Sequence, residues 1–309
     1  MSLVINAYKK NMLKRFDKDD AIPYLSYKDF PGLHCSEGSF LNSLGTEIHY
    51  FFYNYNDPIP NKVVVFCHGI GPGHTAYLAE IEMLCKHGYR VLTLDYTGCD
   101  RSGGGELGSM NAPTRDVIDL LRHLNLEDEI ILIGHSLGGY TALNVINKLD
   151  FIHKAVFISG FIDLKYEAKT LAKLSLFAKE IINYEKKVNP EYFGIDNLSY
   201  LKNTTDKLLF IQSKDDFLVD YDSALKVVES LHNPNISCVT EEGKKHNPTY
   251  TKEAVELMTK TINEYISLVN NKTLDTLEKR KEFFKDITVF DMTVQDPHIE
   301  NIIITFLEE

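Results

Sequence analysis

The residues whose types and spacing could do covalent chemistry lie in Gly134-His135-Ser136-Leu137-Gly138-Gly139. A serine hydroxyl is a poor nucleophile until a base takes its proton. A Gly-x-Ser-x-Gly turn between a strand and a helix lifts the serine oxygen clear of the backbone, toward a base and a substrate. The run before it, Ile130-Ile131-Leu132-Ile133, is branched and apolar, and Tyr140 to Leu149 repeats apolar residues at helical spacing. The local reading is a buried strand, a sharp turn and a helix. Gly134 and Gly138 keep side chains off the flanks of the turn, and Gly139 lets the helix approach the sheet. The Leu137 N–H then sits at the positive end of a helix, where a developing oxyanion can use it. The bland alternative for this stretch is an ordinary glycine-rich strand-to-helix turn.

A serine nucleophile needs a base, and the base needs an orienting acid. Of the 11 histidines, His246 in Glu242-Gly243-Lys244-Lys245-His246 stands between the last expected strand of the sheet and a long closing helix. His135 adjoins the serine in sequence, points away from it and reads as a packing residue. The acid is sought in Ser213-Lys214-Asp215-Asp216-Phe217-Leu218-Val219-Asp220, just past a strand. Asp216 is preferred. Asp215 beside it and Asp163, after the strand ending at Ser159, stay open as alternatives, while Asp220 and Asp222 suit helix N-caps. A second oxyanion donor is expected from the loop after Val63 to Cys67, where His68-Gly69-Ile70 offers the Ile70 N–H. His68 and His74 have no carboxylate or further ligand spaced to support them, so no metal is expected.

Elements must hold these groups at one end of a scaffold. Residues 1–35 read as a short amphipathic helix and an irregular arm. Two antiparallel strands flank Asn42-Ser43-Leu44-Gly45, with Gly45 free to take positive φ. Apolar runs at Val63–Cys67, Val91–Asp95, Ile130–Ile133, Lys154–Ser159, Lys207–Gln212 and Ile236–Val239 then alternate with helical segments. That order implies a mostly parallel sheet covered on both faces, an α/β fold. The alternation pauses at 161–205, which reads as a small helical cap, so the core is assigned to 36–160 and 206–269. Residues 270–309 form a C-terminal extension, expected to be a charged helix followed by two strands around Asp296-Pro297. The core pattern is complete before this extension, which is therefore not expected to be needed for the site. Two such strands would leave open edges, which either the protein's own body or a second copy, in a homodimer through the extension, must cover.

Composition narrows the partners. The 309-residue chain is 44% hydrophobic and 25% charged, with a net charge of -11. That acidity argues against nucleic acid and against a lasting hold on anionic lipid. Neither a signal peptide nor a membrane-length apolar run is apparent, so no stable membrane insertion is expected. The five cysteines are widely spaced and none forms Cys-x-x-Cys, which fits reduced thiols in a cytoplasmic protein.

Taken together, these motifs resemble the α/β-hydrolase-fold serine hydrolases, in particular the bacterial group similar to monoacylglycerol lipases, serine aminopeptidase-like esterases and feruloyl esterases. The carriers are His68-Gly69, the stretch Asp95-Tyr96-Thr97-Gly98-Cys99-Asp100-Arg101-Ser102-Gly103, and Gly134-His135-Ser136-Leu137-Gly138. With them go Ser213-x-x-Asp216-x-x-Val219 and Glu242-Gly243-x-x-His246. They occur in the order Ser, Asp, His that this family uses. Asp100 and Ser213 stand where the family pattern has glycine, and residues 270–309 have no recognised counterpart. The resemblance implies a triad of Ser136, Asp216 and His246, with Leu137 and Ile70 as oxyanion donors and no cofactor. It also implies cleavage of a small-molecule carboxylic ester through an acyl-enzyme. Thioester, peptide or carbon–carbon hydrolysis on the same fold, or a non-catalytic binding module, are the alternatives. Candidate substrate contacts are His68, Gly69 and the cap residues Phe161, Leu174 and Phe177.

Overall fold

Val63-Val64-Val65-Phe66-Cys67 has no polar face, and it forms a strand buried on both sides near the middle of the sheet. In the computed structural model, which describes residues 2–172 and 175–309 and no side chain within 169–175, eight strands build one sheet. They are β1 (His34–Leu41), β2 (Glu47–Asn54), β3 (Lys62–Cys67), β4 (Arg90–Leu94), β5 (Glu129–His135), β6 (Lys154–Ile158), β7 (Lys207–Ser213) and β8 (Ile236–Glu241). Their order is β1-β2-β4-β3-β5-β6-β7-β8. The two pairings that involve β2 are antiparallel, and every pairing from β4 across to β8 is parallel. All parallel strands therefore deliver their C-terminal ends to one edge, where loops can converge.

The helices are α1 (Leu3–Met12), α2 (Leu78–Lys86), α3 (Ala112–Leu124), α4 (Leu137–Lys148), α5 (Leu164–Ala172), α6 (Ser175–Val188), α7 (Asn197–Asn203), α8 (Leu225–Glu229), α9 (Lys252–Asn270), α10 (Leu277–Phe283), α11 (Val289–Met292) and α12 (Pro297–Glu308). Strand pleating sorts the core into two layers. Val63, Val65, Leu132 and Phe157 face α3, α4 and α8, and the cap residues Leu164, Ala168 and Ile181 join this layer. Val64, Phe66, Ile131, Ile133 and Ile158 face α2 and α12 on the other side. Among the described residues no helix is long and apolar enough to cross a membrane.

A buried carboxylate helps tie down the cap, α5 to α7. Glu185 on α6 accepts hydrogen bonds from Tyr8 Oη on α1 (2.7 Å), Ser109 Oγ (2.6 Å), the Met110 N–H (3.1 Å) and Asn111 Nδ2 (3.3 Å). It thus joins the N-terminal helix, the cap and the loop before α3. Each bond to a charged acceptor is worth on the order of 1.5–3 kcal/mol, which offsets part of the cost of burial, although burial still pushes the Glu185 carboxyl above the ordinary range.

The expected strands of the C-terminal extension are helices instead. Ile299, Ile303, Ile304, Phe306 and Leu307 are buried. Their spacing of four, one, two and one residues is one face of a helix, not the period of a strand. Asp296 caps this helix by accepting from the His298 N–H at 2.8 Å, and Pro297 occupies its first turn. Proline there loses nothing, because its missing N–H would be unpaired anyway. The apolar face of α12 lies on the sheet layer of Ile131, Ile133 and Ile158. Lys154 and Lys207, at the N-terminal ends of β6 and β7, donate to the Leu307 and Glu309 carbonyls at 3.2 and 3.1 Å. By contrast α9, the expected closing helix, buries Ala254, Val255, Thr261 and Tyr265, and Ala254 and Val255 sit with Tyr250 in a small separate cluster. The α12 part of residues 270–309 is therefore in the core, and the expectation of two strands there is corrected to a helix packed on the sheet. The homodimer expectation loses the uncovered strands on which it stood.

Candidate active site

Ser136 sits at the junction of β5 and α4 with φ 57° and ψ −122°, a conformation that a non-glycine residue adopts only when its surroundings hold it there. The hold is visible. The Ser136 N–H donates to the Ile158 carbonyl at 2.9 Å, and its own carbonyl accepts from the Tyr140 N–H at 3.2 Å. The two flanking glycines are demanded by space. A Cβ on Gly138 would lie 1.9 Å from the Cys67 carbonyl oxygen, and one on Gly134 would lie 2.1 Å from the Gly138 carbonyl oxygen. The turn can therefore press against the end of β3, which carries the loop with Ile70.

His246 follows β8, in a loop whose preceding residue, Lys245, has φ 51°. Its Nδ1 lies 2.8 Å from Asp216 Oδ2 and 2.9 Å from Oδ1. The carboxylate is itself held, because Oδ1 also accepts from the Leu218 and Val219 N–H groups at 2.9 and 3.1 Å. A fixed acid at Nδ1 places the proton there and leaves Nε2 as the basic nitrogen. The alternatives for the acid are occupied elsewhere. Asp163 accepts from the Lys165 N–H at 2.7 Å at the start of α5, and Asp215 accepts from the Gly243 N–H at 2.8 Å.

Ser136 and His246 line one cavity of about 250 Å³, with Ile70, Leu137, Phe161, Glu167 and Met12 among its walls. Of the expected substrate contacts, Phe161 is in this wall and stacks on Tyr140 with centroids 4.3 Å apart. His68 is not. It is fully buried, stacks on Tyr96 at 3.9 Å, and its Nδ1 lies 2.7 Å from the Gly69 carbonyl oxygen. Burial pushes its pKa down to about 4, so it packs as a neutral ring. Gly69 also falls outside the cavity wall. Phe177 lines a separate apolar groove of about 550 Å³ between α1 and α6, and Leu174 lies outside the described residues. Asp100, which replaces a glycine of the family pattern, takes φ 33° and pairs with Lys18 at 2.9 Å, away from the cavity. Among the described residues no group of three or more His, Cys, Asp and Glu is placed to hold a metal ion.

The sequence reading missed a buried relay. His135 is more than packing: its Nε2 lies 2.8 Å from the His246 carbonyl oxygen, and its Nδ1 lies 2.9 Å from Tyr77 Oη. Tyr77 Oη in turn accepts from the Gly69 N–H at 3.0 Å. Burial pushes His135 down to about 3, so the ring is neutral. Its Nε2–H then donates to His246 and its Nδ1 accepts the Tyr77 hydroxyl proton. One chain of hydrogen bonds thus connects the loop bearing Ile70 to the backbone of His246. The signal available in sequence was a histidine flanked by a glycine and the serine at a buried strand end, where a ring with two polar atoms must find two partners.

With this geometry the fold can be compared with known proteins. The profile of the alpha/beta hydrolase family matches residues 64–233, more than half of the chain. The chain belongs to the alpha/beta hydrolase family. This hydrolase is 26% identical over 238 residues to a Haemophilus influenzae protein named "Putative esterase/lipase", covering 64% of this chain and 82% of that one. A Pyrococcus furiosus esterase has a similar fold, with a TM-score of 0.58 at 20% identity, covering 88% of this chain and 98% of the other. A Butyrivibrio proteoclasticus protein solved with ferulic acid aligns with a TM-score of 0.57 at 19% identity, over 74% and 98% of the two chains. At these identities the two structures speak for the fold of this hydrolase alone, and its esterase-like relatives speak for hydrolysis as the class of chemistry.

Proposed function

We propose that the chain hydrolyses carboxylic esters through an acyl-enzyme on Ser136. The observation that carries this reading is the cavity shared by Ser136, on its constrained turn, and His246, whose Nδ1 is engaged by Asp216. Ser136 Oγ attacks the ester carbonyl while His246 Nε2 takes its proton. The oxyanion of the tetrahedral intermediate is received by the Leu137 N–H at the start of α4 and the Ile70 N–H from the loop after β3. Collapse expels the alkoxide, which takes the proton from His246. Water then repeats the sequence on the acyl-enzyme and releases the acid, returning the proton to Ser136.

Two features favour small esters. An alkoxide leaves more easily than an amine, so an ester asks less of the imidazolium than an amide does. A cavity of about 250 Å³ lies below the range of roughly 300–1,000 Å³ found for drug-sized ligands, which favours a compact acyl group. The test is labelling with a fluorophosphonate and turnover of short-chain esters. The wild-type chain is expected to label at Ser136. Ser136→Ala is expected to lose both label and turnover, the latter by a factor on the order of 10⁵–10⁶. Full labelling of the Ala variant at another residue would overturn the assignment.

A further inference from the structure

The triad mechanism leaves one ionisable group of the cavity without a role. Glu167 lies on α5 of the cap, is 7% exposed, and forms part of the wall that encloses Ser136 and His246. Among the described residues seven carboxylates are buried. Six of them accept a hydrogen bond from the chain, as Glu80 does from Tyr250, Asp116 from Asn42 and Glu185 from Tyr8. Among the described residues Glu167 accepts none and pairs with no cation, and the charges that act on it are Asp216 and Asp220, both of its own sign.

A buried carboxylate without a donor is costly, and like charges nearby raise that cost. Burial first, then Asp216 and Asp220, push the Glu167 carboxyl up to about 7. Near neutrality the group is thus poised between a proton and a cation, and the cavity is the direction from which a cation can arrive. The surrounding wall is largely apolar, with Met12, Met110, Phe161 and Leu218, so a cation there would find no competing carboxylate among the wall residues.

We propose that Glu167 is a specificity-determining residue that receives a protonated amine of the substrate, so that the preferred esters carry an ammonium group close to the scissile carbonyl. An ammonium supplies what the site lacks, a donor and a compensating charge in one group. Its attraction to Glu167 anchors one end of a small molecule while Ile70 and Leu137 face the carbonyl. This inference rests on Ser136 being the nucleophile.

The experiment compares matched esters that differ only in charge. On the acyl side these are methyl 3-aminopropanoate and methyl butanoate. On the alcohol side they are 2-(dimethylamino)ethyl butanoate and 3-methylbutyl butanoate. The full-length chain is expected to favour the cationic member of at least one pair by about 10- to 100-fold in kcat/KM, the range of one charge-assisted hydrogen bond. Glu167→Gln, which keeps the shape, and Glu167→Leu, which removes the polarity, should each collapse that ratio toward one, chiefly through KM for the cationic ester. Fluorophosphonate labelling of Ser136 in each variant shows that the site is still assembled. A wild-type ratio at or below one in both pairs would overturn the proposal, and so would a ratio that survives in Glu167→Gln. Absence of labelling in the wild type would instead strike the nucleophile assignment, which keeps the two failures apart.

Discussion

The turn at Ser136 and the segment 270–309 sit on opposite sides of a single lesson. At Ser136 the residue types stand together in the chain, a buried strand, a constrained residue and two glycines with no room for a Cβ, although Cys67 of β3 is what crowds Gly138. In 270–309 nothing local decides the outcome. The stretch Ile299 to Phe306 alternates well enough for a strand, yet it folds as α12 with its apolar side chains on the sheet layer of Ile131, Ile133 and Ile158. The turn is specified by neighbours in the chain, and the extension by neighbours in space. The two regions also meet. Lys244, two residues before His246, is almost fully buried and pairs with Glu241 at 2.9 Å and with Asp296 at 2.6 Å. The Asp296 N–H donates to the Thr249 carbonyl at 2.7 Å, and the Thr251 N–H donates to the Val294 carbonyl at 2.9 Å. The extension therefore braces the loop that presents His246.

The most severe way to break this comparison is to end the chain at Val269. Five large side chains of α12 would be lost from the core. At about 1.5–3 kcal/mol each this amounts to roughly 7–15 kcal/mol, which matches the whole stability of a typical domain. The truncated chain is expected to show no cooperative thermal transition and no fluorophosphonate labelling at Ser136. A sharp melt with full labelling would show that α12 is an appendage after all.

Next in size is the acid. Asp216→Asn keeps the shape but cannot hold the Nδ1–H tautomer, and kcat should fall by about 10⁴. Asp163→Asn and Asp215→Asn, whose carboxylates serve backbone N–H groups, should leave kcat within a few-fold. Steady-state rates on one short-chain ester decide this, and a large loss in Asp163→Asn would place the acid on the wrong strand.

The smallest expected effect probes the brace itself. Asp296→Ala removes a partner of Lys244 and the N-cap of α12 together. A cap alone is worth about 0.5–2 kcal/mol, so unfolding in urea should show a loss on the order of 1–3 kcal/mol once the weakened ion pair is added. The same variant should lose several-fold in kcat, because the His246 loop is less firmly held. Lower stability with kcat unchanged would confine the role of Asp296 to the fold.

Much of the site was legible because its constraints are written in residue type. Ser136 needed glycines at fixed positions, Asp216 and His246 needed places after β7 and β8, and apolar runs with helical spacers announced a parallel sheet. What stayed hidden was contact. His135 could be read as packing because its partners, Tyr77 and His246, are 58 and 111 positions away. His68, expected at the substrate, turned inward to stack on Tyr96, and Glu167 was one carboxylate among 44 acidic residues until its helix took its place in the cavity wall.

The sequence by itself determined the eight strands of the sheet, the turn, the chain order of Ser136, Asp216 and His246, and the helical character of the cap. Periodicity and turn chemistry act over a few residues, so they survive without knowledge of the rest of the chain. Only the tertiary structure decided that α12 rather than α9 covers the sheet, that the extension grips the His246 loop, and that Glu167 shares the cavity of Ser136 with no partner among the described residues. These depend on which surfaces are left over when the other elements have packed, and a surface left over is a property of the whole fold.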